Sequence, residues 1–229
     1  MQQIPILLTI FFILTTLVTV YLLYIAAHRS RQVLFVIGIW MAAQAAIAIS
    51  GFYTVTNVMP PRFMLTMLPA ILFIIGMFIS KKGRAFIDSL DLKALTLLHT
   101  VRIAVELILF WLFLKKAIPL IMTFEGKNID ILAGITAPII YYLVFVRKSV
   151  GRIGLLVWNI FGLASLFNIV TIAVLSAPFP FQRLAFEQPN IAVLHFPFNW
   201  LPSVIVTIVL FSHLAAIRKL VRRSLGEGG

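Results

Sequence analysis

The sequence predicts an all-α membrane protein, a single polytopic bundle of about seven transmembrane helices. Hydrophobic residues make up 62% of the 229 positions, and the mean hydropathy is +1.07. The apolar residues form long runs, and the basic residues lie in short groups between them. A soluble domain of this length cannot cover so much apolar surface, because its surface-to-volume ratio requires polar residues outside. We therefore expect residues 1–229 to form one transmembrane domain.

Seven apolar segments are candidates for the spanning helices. A hydrocarbon core of about 30 Å needs roughly 20 helical residues, with about 17–25 acceptable. Helices are favoured over strands because lipid offers no partner for open backbone groups. The third, fifth and seventh segments are short. In order, the segments are Ile4–Ala27, Val33–Val55, Met64–Ser80, Leu95–Leu114, Ile131–Val146, Leu155–Leu175 and Leu201–Ile217.

The ends of these segments carry further signals. The first segment has no basic region before it and no small-residue cleavage pattern after it, so we expect a retained helix and not a signal peptide. Ser89 or Asp91 can cap the fourth segment at its N-terminus. The connection 177–200 interleaves prolines with phenylalanines. Prolines oppose a regular helix there, and we expect this connection to lie in the outer interface or to cover the bundle mouth as a lid.

The distribution of Lys and Arg predicts the orientation. With the N-terminus outside and the C-terminus in the cytoplasm, thirteen of the 19 basic residues fall in cytoplasmic segments and five in outer ones. The remaining basic residue, Arg102, lies within the fourth segment. Because basic residues concentrate in cytoplasmic loops, this pattern supports an odd helix count and a multi-pass protein of the cell (inner) membrane.

A faint internal repeat suggests two three-helix units. A shift of 118 positions aligns three residues of the first half with identical ones of the second, namely Tyr24 with Tyr142, Arg29 with Arg147, and Trp40 with Trp158. The predicted arrangement has helices 1–3 in residues 1–80, a linker helix in 89–116 and helices 5–7 in 131–217. The alternative is chance, since Tyr, Arg and Trp recur at membrane interfaces.

This three-plus-one-plus-three plan resembles that of the SWEET sugar transporters and their PQ-loop relatives. The resemblance covers the whole chain at the level of topology and implies a transport function. The Pro-Gln dipeptide of those families is missing, because Pro138 in the fifth segment is followed by Ile139. No functional residue is therefore carried over from them.

Several chemistries are excluded by the residues present. The net charge of +12 occurs in loops between apolar runs and not on a basic face, which argues against nucleic acid as a partner. The chain has no cysteine and four histidines, so thiolate and dihaem sites are not expected. The last segment lacks the lysine of a retinal protein. We expect no metal and no cofactor; the expected partners are the lipid bilayer and a small-molecule ligand or solute, and the oligomeric state is open.

The strongest local signal is in the fourth segment, where His99, Arg102 and Glu106 share one helix face. At 100° per residue they lie within an arc of about 60° and span roughly 10 Å of helix length. Arg102 and Glu106 can pair at i,i+4. An ionised side chain in a membrane helix costs about 2.5–3.5 kcal/mol on insertion scales, so we expect these groups to face the interior. A proton relay or an ionic binding site is one interpretation, and a purely structural charge pair is the other.

Other polar residues of the segments are candidates for the same cavity. Gln44, Tyr142 and Asn159 can reach toward Glu106 from neighbouring helices, although ordinary interhelical hydrogen bonds explain them as well. Asn128 and Asp130 are interpreted as part of an ordinary outer polar loop, and His213 as a residue near the cytoplasmic interface. The catalytic residues, if any exist, are not identified by the sequence.

Three function classes remain open. The preferred one is a small-solute transporter or permease that uses the ionisable cluster of the fourth segment. The first alternative is a membrane-embedded enzyme acting on a lipid or isoprenoid, with Glu106 or His99 as acid–base group. The second is a ligand-binding receptor or an accessory membrane subunit.

Overall fold

The computed structural model describes residues 4–226, with side chains to residue 222, and contains helices but no β-strand over that range. Two π-helical turns, Tyr142–Val146 and Leu201–Val206, extend α7 and precede α9. The α-helices are α1 Ile6–Ala26, α2 Arg31–Ile49, α3 Leu68–Ile79, α4 Lys81–Ser89, α5 Leu92–Leu98, α6 Val101–Leu114, α7 Asp130–Tyr141, α8 Arg152–Leu175 and α9 Thr207–Gly226.

Five helical stretches are long and apolar enough to cross a membrane, which confirms the all-helical, membrane-compatible prediction. They are Ile6–Ala26, Arg31–Ile49, Leu92–Leu114, Arg152–Leu175 and Leu201–Arg222. The other two predicted segments correspond to shorter apolar helices, Leu68–Ile79 and Asp130–Val146. The helix α4, which the sequence analysis did not predict, follows α3 directly. The division into three-plus-one-plus-three helices stays a prediction.

The continuous stretch formed by α5 and α6 lies at the centre of the bundle. It packs against α1 on one side and α7 on the other, and α5 also contacts α9. The two helices meet at His99 and Thr100, where the amides of Thr100, Arg102 and Ile103 bond three residues back instead of four. This tightened turn resembles a 3₁₀ turn. Asp91 caps the N-terminus of α5 through the amide of Lys93, at 3.0 Å, as predicted.

At one end of the bundle, the C-terminal end of α1, the helix α4 and the last turns of α9 pack together. The amide of Asp91 donates to the carbonyl of Ala26. Asp88 accepts from Arg218 in a bidentate pair at 3.0 and 3.1 Å, and also from Arg222. The Arg218 hydrogen bond is the main cause that lowers the pKa of Asp88. We call this end the α4 end.

The opposite end is closed by the connection 177–200. Its backbone bonds to the loop after α6, where the amides of Ile191 and Ala192 donate to the carbonyl of Ala117. Phe198 packs on Phe12 of α1 with ring centroids 4.9 Å apart. Phe186, by contrast, is 70% exposed. The connection is thus largely folded onto the helix ends, as the covering interpretation expects.

Candidate functional site

Arg102 is the centre of a buried polar cluster, with only 2% of its surface exposed. It lies near the middle of the 23-residue stretch Leu92–Leu114. Its Nε donates to Asp130 Oδ2 at 2.6 Å, and its Nη2 bonds to Asp130 Oδ1. Nη2 also donates to the Ser165 hydroxyl at 2.8 Å, and both terminal nitrogens bond to the Gly162 carbonyl at 3.2 Å. A bidentate arginine–carboxylate pair is among the strongest charge-assisted contacts.

The pairing partner differs from the one expected. Arg102 hydrogen-bonds to Asp130 and not to Glu106, and Asp130 is 5% exposed. The interpretation of Asn128 and Asp130 as an outer polar loop is wrong. The chain between α6 and α7 turns back into the bundle, so that the carboxylate of Asp130, the first residue of α7, reaches the guanidinium of Arg102. Gly134, one turn further along α7, lies beside Ile103.

Two glycines allow the helices to approach this cluster. A Cβ at Gly134 would lie 2.9 Å from the backbone nitrogen of Ile103 and 3.2 Å from Cβ of Arg102. A Cβ at Gly162 would lie 2.7 Å from Nε2 of His213. Real Cβ atoms do not sit so close to other heavy atoms, so both contacts require glycine. The first brings α7 against α6, and the second brings α8 against the guanidinium and the imidazole.

Glu106 is 1% exposed, and only one of its two carboxylate oxygens accepts a hydrogen bond. Its Oε1 accepts from the side-chain amide of Asn128 at 2.6 Å, and Asn128 also caps Asp130 through an Oδ1 contact to the amide at 3.0 Å. The second carboxylate oxygen, Oε2, is buried without a hydrogen-bond partner. Buried polar atoms are nearly always paired, so this oxygen is an acceptor that remains available within the bundle.

His213 is fully buried and belongs to the cluster, contrary to its expected place near the cytoplasmic interface. Its Nε2 lies 3.0 Å from Nη1 of Arg102, and its Nδ1 lies 3.0 Å from Oδ1 of Asn159. Arginine nitrogens only donate, so Nε2 must be the acceptor and Nδ1 must carry the proton. The Asn159 amide nitrogen donates to the Leu155 carbonyl, which leaves its Oδ1 to accept. His213 is therefore a neutral imidazole with a defined tautomer.

His99 stacks on His213 with ring centroids 3.7 Å apart and an interplanar angle of 15°. Trp158 meets His99 edge-on at 5.5 Å and donates its indole N–H to Thr136 at 2.9 Å. Both ring nitrogens of His99 are buried without a hydrogen-bond partner. The two histidines and the tryptophan thus extend the cluster from Arg102 toward the α4 end.

A cavity of about 70 Å³ opens between the cluster and the covering connection. Its ionisable lining residues are Arg102, Glu106 and Asp130, and its walls are apolar. On each of three helices the lining follows one face, at spacings of three and four residues. These faces comprise Val105, Glu106 and Leu109 of α6; Leu166, Ile169, Val170, Ala173 and Val174 of α8; and Leu201, Pro202, Ile205, Val206 and Val209 of the π turn and α9.

The outer end of the cavity is closed by side chains from two connections. Phe63 and Met67 come from the segment before α3, and Asn190 and Val193 from the connection 177–200. The side-chain Nδ2 of Asn190 donates to the Ala173 carbonyl at 3.2 Å, while the side-chain Oδ1 is buried without a partner. Two residues of the lining, Glu106 near Arg102 and Asn190 at the closed end, therefore carry a buried acceptor oxygen without a hydrogen-bond partner.

The predicted candidates are only partly brought together. His99, Arg102, Glu106 and Asn159 share the cluster. Gln44 is buried elsewhere, where it accepts from the Tyr53 hydroxyl at 2.8 Å and donates to the Leu65 carbonyl at 3.1 Å. Tyr142 is 54% exposed and lies away from the cavity. Their expected approach to Glu106 is not observed.

The sequence analysis missed several members of the cluster, among them Asn128, Asp130, Ser165, the carbonyl of Gly162 and His213. One signal for Asp130 was present, since the apolar run after it, as a helix, is shorter than the thickness of a bilayer core. Within residues 4–226, no group of three or more His, Cys, Asp or Glu side chains is arranged to hold a metal ion.

Comparison with known proteins identifies a family but not an activity. No curated protein and no solved structure matches the chain. One family profile, described as a domain of unknown function, DUF8737, matches residues 59–221. That range contains Arg102, Glu106, Asp130, Gly162 and His213, and it covers more than half of the chain. The protein is a member of the DUF8737 family.

Proposed function

We propose that this protein is a small-solute transporter whose binding site is the cavity beside Glu106. The observation that carries the proposal is the unpaired, buried Oε2 of a carboxyl group that lines a cavity near the middle of a membrane-compatible bundle. Ionisable residues inside a membrane bundle commonly mark solute or proton pathways.

The charges of the cavity lining support a coupling role for Glu106. The positive charge of Arg102 is balanced by Asp130, with which it forms a buried ion pair. His213 is neutral, so it offers no charge to Glu106. With Glu106 ionised, the two carboxylates and one guanidinium of the lining carry a net negative charge in apolar surroundings, and the Asn128 hydrogen bond does not neutralise it. Such a buried charge is costly, so Glu106 takes up either a proton or a cationic solute. Exchange of one for the other is the basis of proton-coupled transport.

The helix α7 provides a second argument. It begins at Asp130, one turn before Gly134 packs against Ile103 of α6, and not at an end of the bundle. Transporters commonly build their sites from helices that start or break near the membrane midplane. The π-helical turn Leu201–Val206, which contributes to the cavity wall, is a further irregularity of the kind that occurs at functional sites.

The proposed topology has seven crossings of the inner membrane, with the N-terminus outside and the C-terminus in the cytoplasm. The five long stretches provide five of the crossings, and the short helices α3 and α7 provide the other two. The α4 end faces the cytoplasm. Support comes from the basic residues of this end, among them Lys81, Arg84 and Arg218, because positive charge concentrates on the cytoplasmic side. Reporter fusions after Arg84 and near Lys127 test the orientation: the same side for both would refute it.

Charge movement tests the transport proposal. Proteoliposomes on a solid-supported membrane are exposed to a pH jump, so that the proton itself is the probe. We expect a transient current in the wild type and none in Glu106→Gln, which keeps the Oε1 acceptor for Asn128 and should fold normally. Glu125→Gln, the same change at an exposed loop position, is the matched control and should behave as the wild type. A current that persists unchanged in Glu106→Gln would exclude Glu106 as the coupling group.

A further inference from the structure

The shape of the cavity indicates a slender ligand. Along α8 the lining runs from Leu166 to Val174, a distance of about 12 Å at 1.5 Å per residue. A volume of about 70 Å³ spread over that length leaves a narrow slot along the helix axes. Compact polar solutes such as sugars do not match this outline, whereas an extended hydrocarbon chain does.

The unpaired polar atoms specify the head group. All the N–H groups of Arg102 are engaged, by Asp130, Gly162, Ser165 and His213, so the guanidinium has no donor left for a ligand. Among the residues that line the cavity, the buried side-chain atoms without a hydrogen-bond partner are both acceptors, Oε2 of Glu106 and Oδ1 of Asn190. A ligand that satisfies Glu106 must therefore donate hydrogen bonds, and one that carries positive charge also neutralises it.

We propose that the cavity binds an aliphatic ammonium ion, with the ammonium group on Glu106 and the hydrocarbon chain in the slot. A primary ammonium group offers three donors and one positive charge. The chain lies between apolar side chains such as Val105, Ile169 and Ile205 and points toward Asn190. An amine with a hydroxyl at its far end can also donate to Oδ1 of Asn190.

This inference deepens the proposed function and rests on the same cavity. Binding without charge movement would keep the ammonium assignment and remove transport. Charge movement without amine binding would keep the transport proposal and remove the ammonium assignment. The two claims are therefore separable by the experiment.

The test is equilibrium binding of radiolabelled hexylamine to the purified full chain in detergent, by scintillation proximity. Unlabelled amines from butylamine to decylamine then compete, together with the alcohol and the carboxylate of each length. We expect the amine to bind at least tenfold more tightly than the alcohol of equal length. Each added methylene should strengthen binding about fourfold, the equivalent of about 0.8 kcal/mol, until the slot is full.

The variants separate the site from partition into detergent. Glu106→Gln should weaken hexylamine binding at least tenfold, and the matched control Glu125→Gln should leave it unchanged. Ala173→Leu, at the outer end of the slot, should leave butylamine binding intact and weaken decylamine binding. Any one of four results would overturn the assignment. The wild type binds no amine, it binds amine and alcohol equally, Glu106→Gln has no effect, or millimolar Na⁺ displaces hexylamine.

Discussion

The change Asp130→Asn removes the negative partner of Arg102 while keeping the size of the side chain. In the wild type, Asp130 accepts two hydrogen bonds from the guanidinium and one from the Ser165 hydroxyl at 3.0 Å. An asparagine offers one oxygen in place of two. Its amide group would also point donors at the donors of Arg102. The variant therefore leaves a positive charge buried without its counter-charge.

The expected loss follows from the burial of the pair. Removing one partner of a buried ion pair costs about 3–5 kcal/mol of unfolding free energy. For a chain of this size that corresponds to a fall in the melting temperature of roughly 6–20 °C. Asp88→Asn provides the contrast, because Asp88 pairs with Arg218 and Arg222 at the α4 end and its side chain is 25% exposed. Partly exposed pairs contribute about 0–1 kcal/mol.

The assay is thermal unfolding of the purified protein in one detergent, with the double variant Arg102→Met/Asp130→Asn included. The double variant removes both charges and should be more stable than Asp130→Asn alone. It should still be less stable than the wild type by about 1–3 kcal/mol, because Nε2 of His213 and the Gly162 carbonyl lose their donor. If Asp130→Asn costs no more than Asp88→Asn, or if the double variant is the less stable of the two Asp130 proteins, the buried pair is not what holds the cluster together.

Two further outcomes follow from the same structure. Gly162→Ala should destabilise the protein by about 1–3 kcal/mol through overpacking against His213. Gly38→Ala is the control, because no atom lies within 4 Å of the added methyl group, and it should be neutral or stabilising by up to about 1 kcal/mol. Equal melting temperatures of the two variants would contradict the requirement for glycine at position 162. Because the pKa of Asp88 is lowered in the folded state, its contribution is fully present above its ordinary pKa of about 3.9 and is lost as the pH falls through the folded-state value. The difference in melting temperature between wild type and Asp88→Asn should be constant above about pH 4 and shrink as the pH falls below it. A difference that stays constant as the pH falls far below that value, or that already shrinks at higher pH, would refute the coupling.

The helices were predictable because hydropathy and charge are local properties of the sequence. Most ends of the segments agree with the helices to within a few residues, but α2 ends at Ile49 and not at Val55, and α9 continues to Gly226 beyond Ile217. The cap by Asp91 follows from residue type alone. The helix α4 was missed because it is short and basic, so hydropathy merges it with a loop. Its position depends on contacts between Asp88 and Arg218, which are far apart in the chain and leave no local pattern.

Only the part of the candidate site that lies on the fourth predicted segment could be predicted from the sequence. His99, Arg102 and Glu106 stand out because charged residues are rare in an apolar run. Asp130 sits next to other polar residues, and its sequence context is that of an ordinary loop. The useful sign was length, since the 17 residues of Asp130–Val146 reach only about 25 Å, less than a bilayer core of about 30 Å. A helix that short is expected to begin inside the bundle, where its first residue meets the arginine.

The wide sequence spacing of the Arg102 partners has a consequence for biogenesis. Asp130 follows Arg102 by 28 positions and His213 by 111. At a synthesis rate of about 5–20 residues per second, Arg102 enters the membrane roughly 1–6 seconds before its counter-charge is made and about 6–22 seconds before the imidazole. The polar cluster around Arg102 is therefore complete only after α9, which carries His213, has been synthesised and packed.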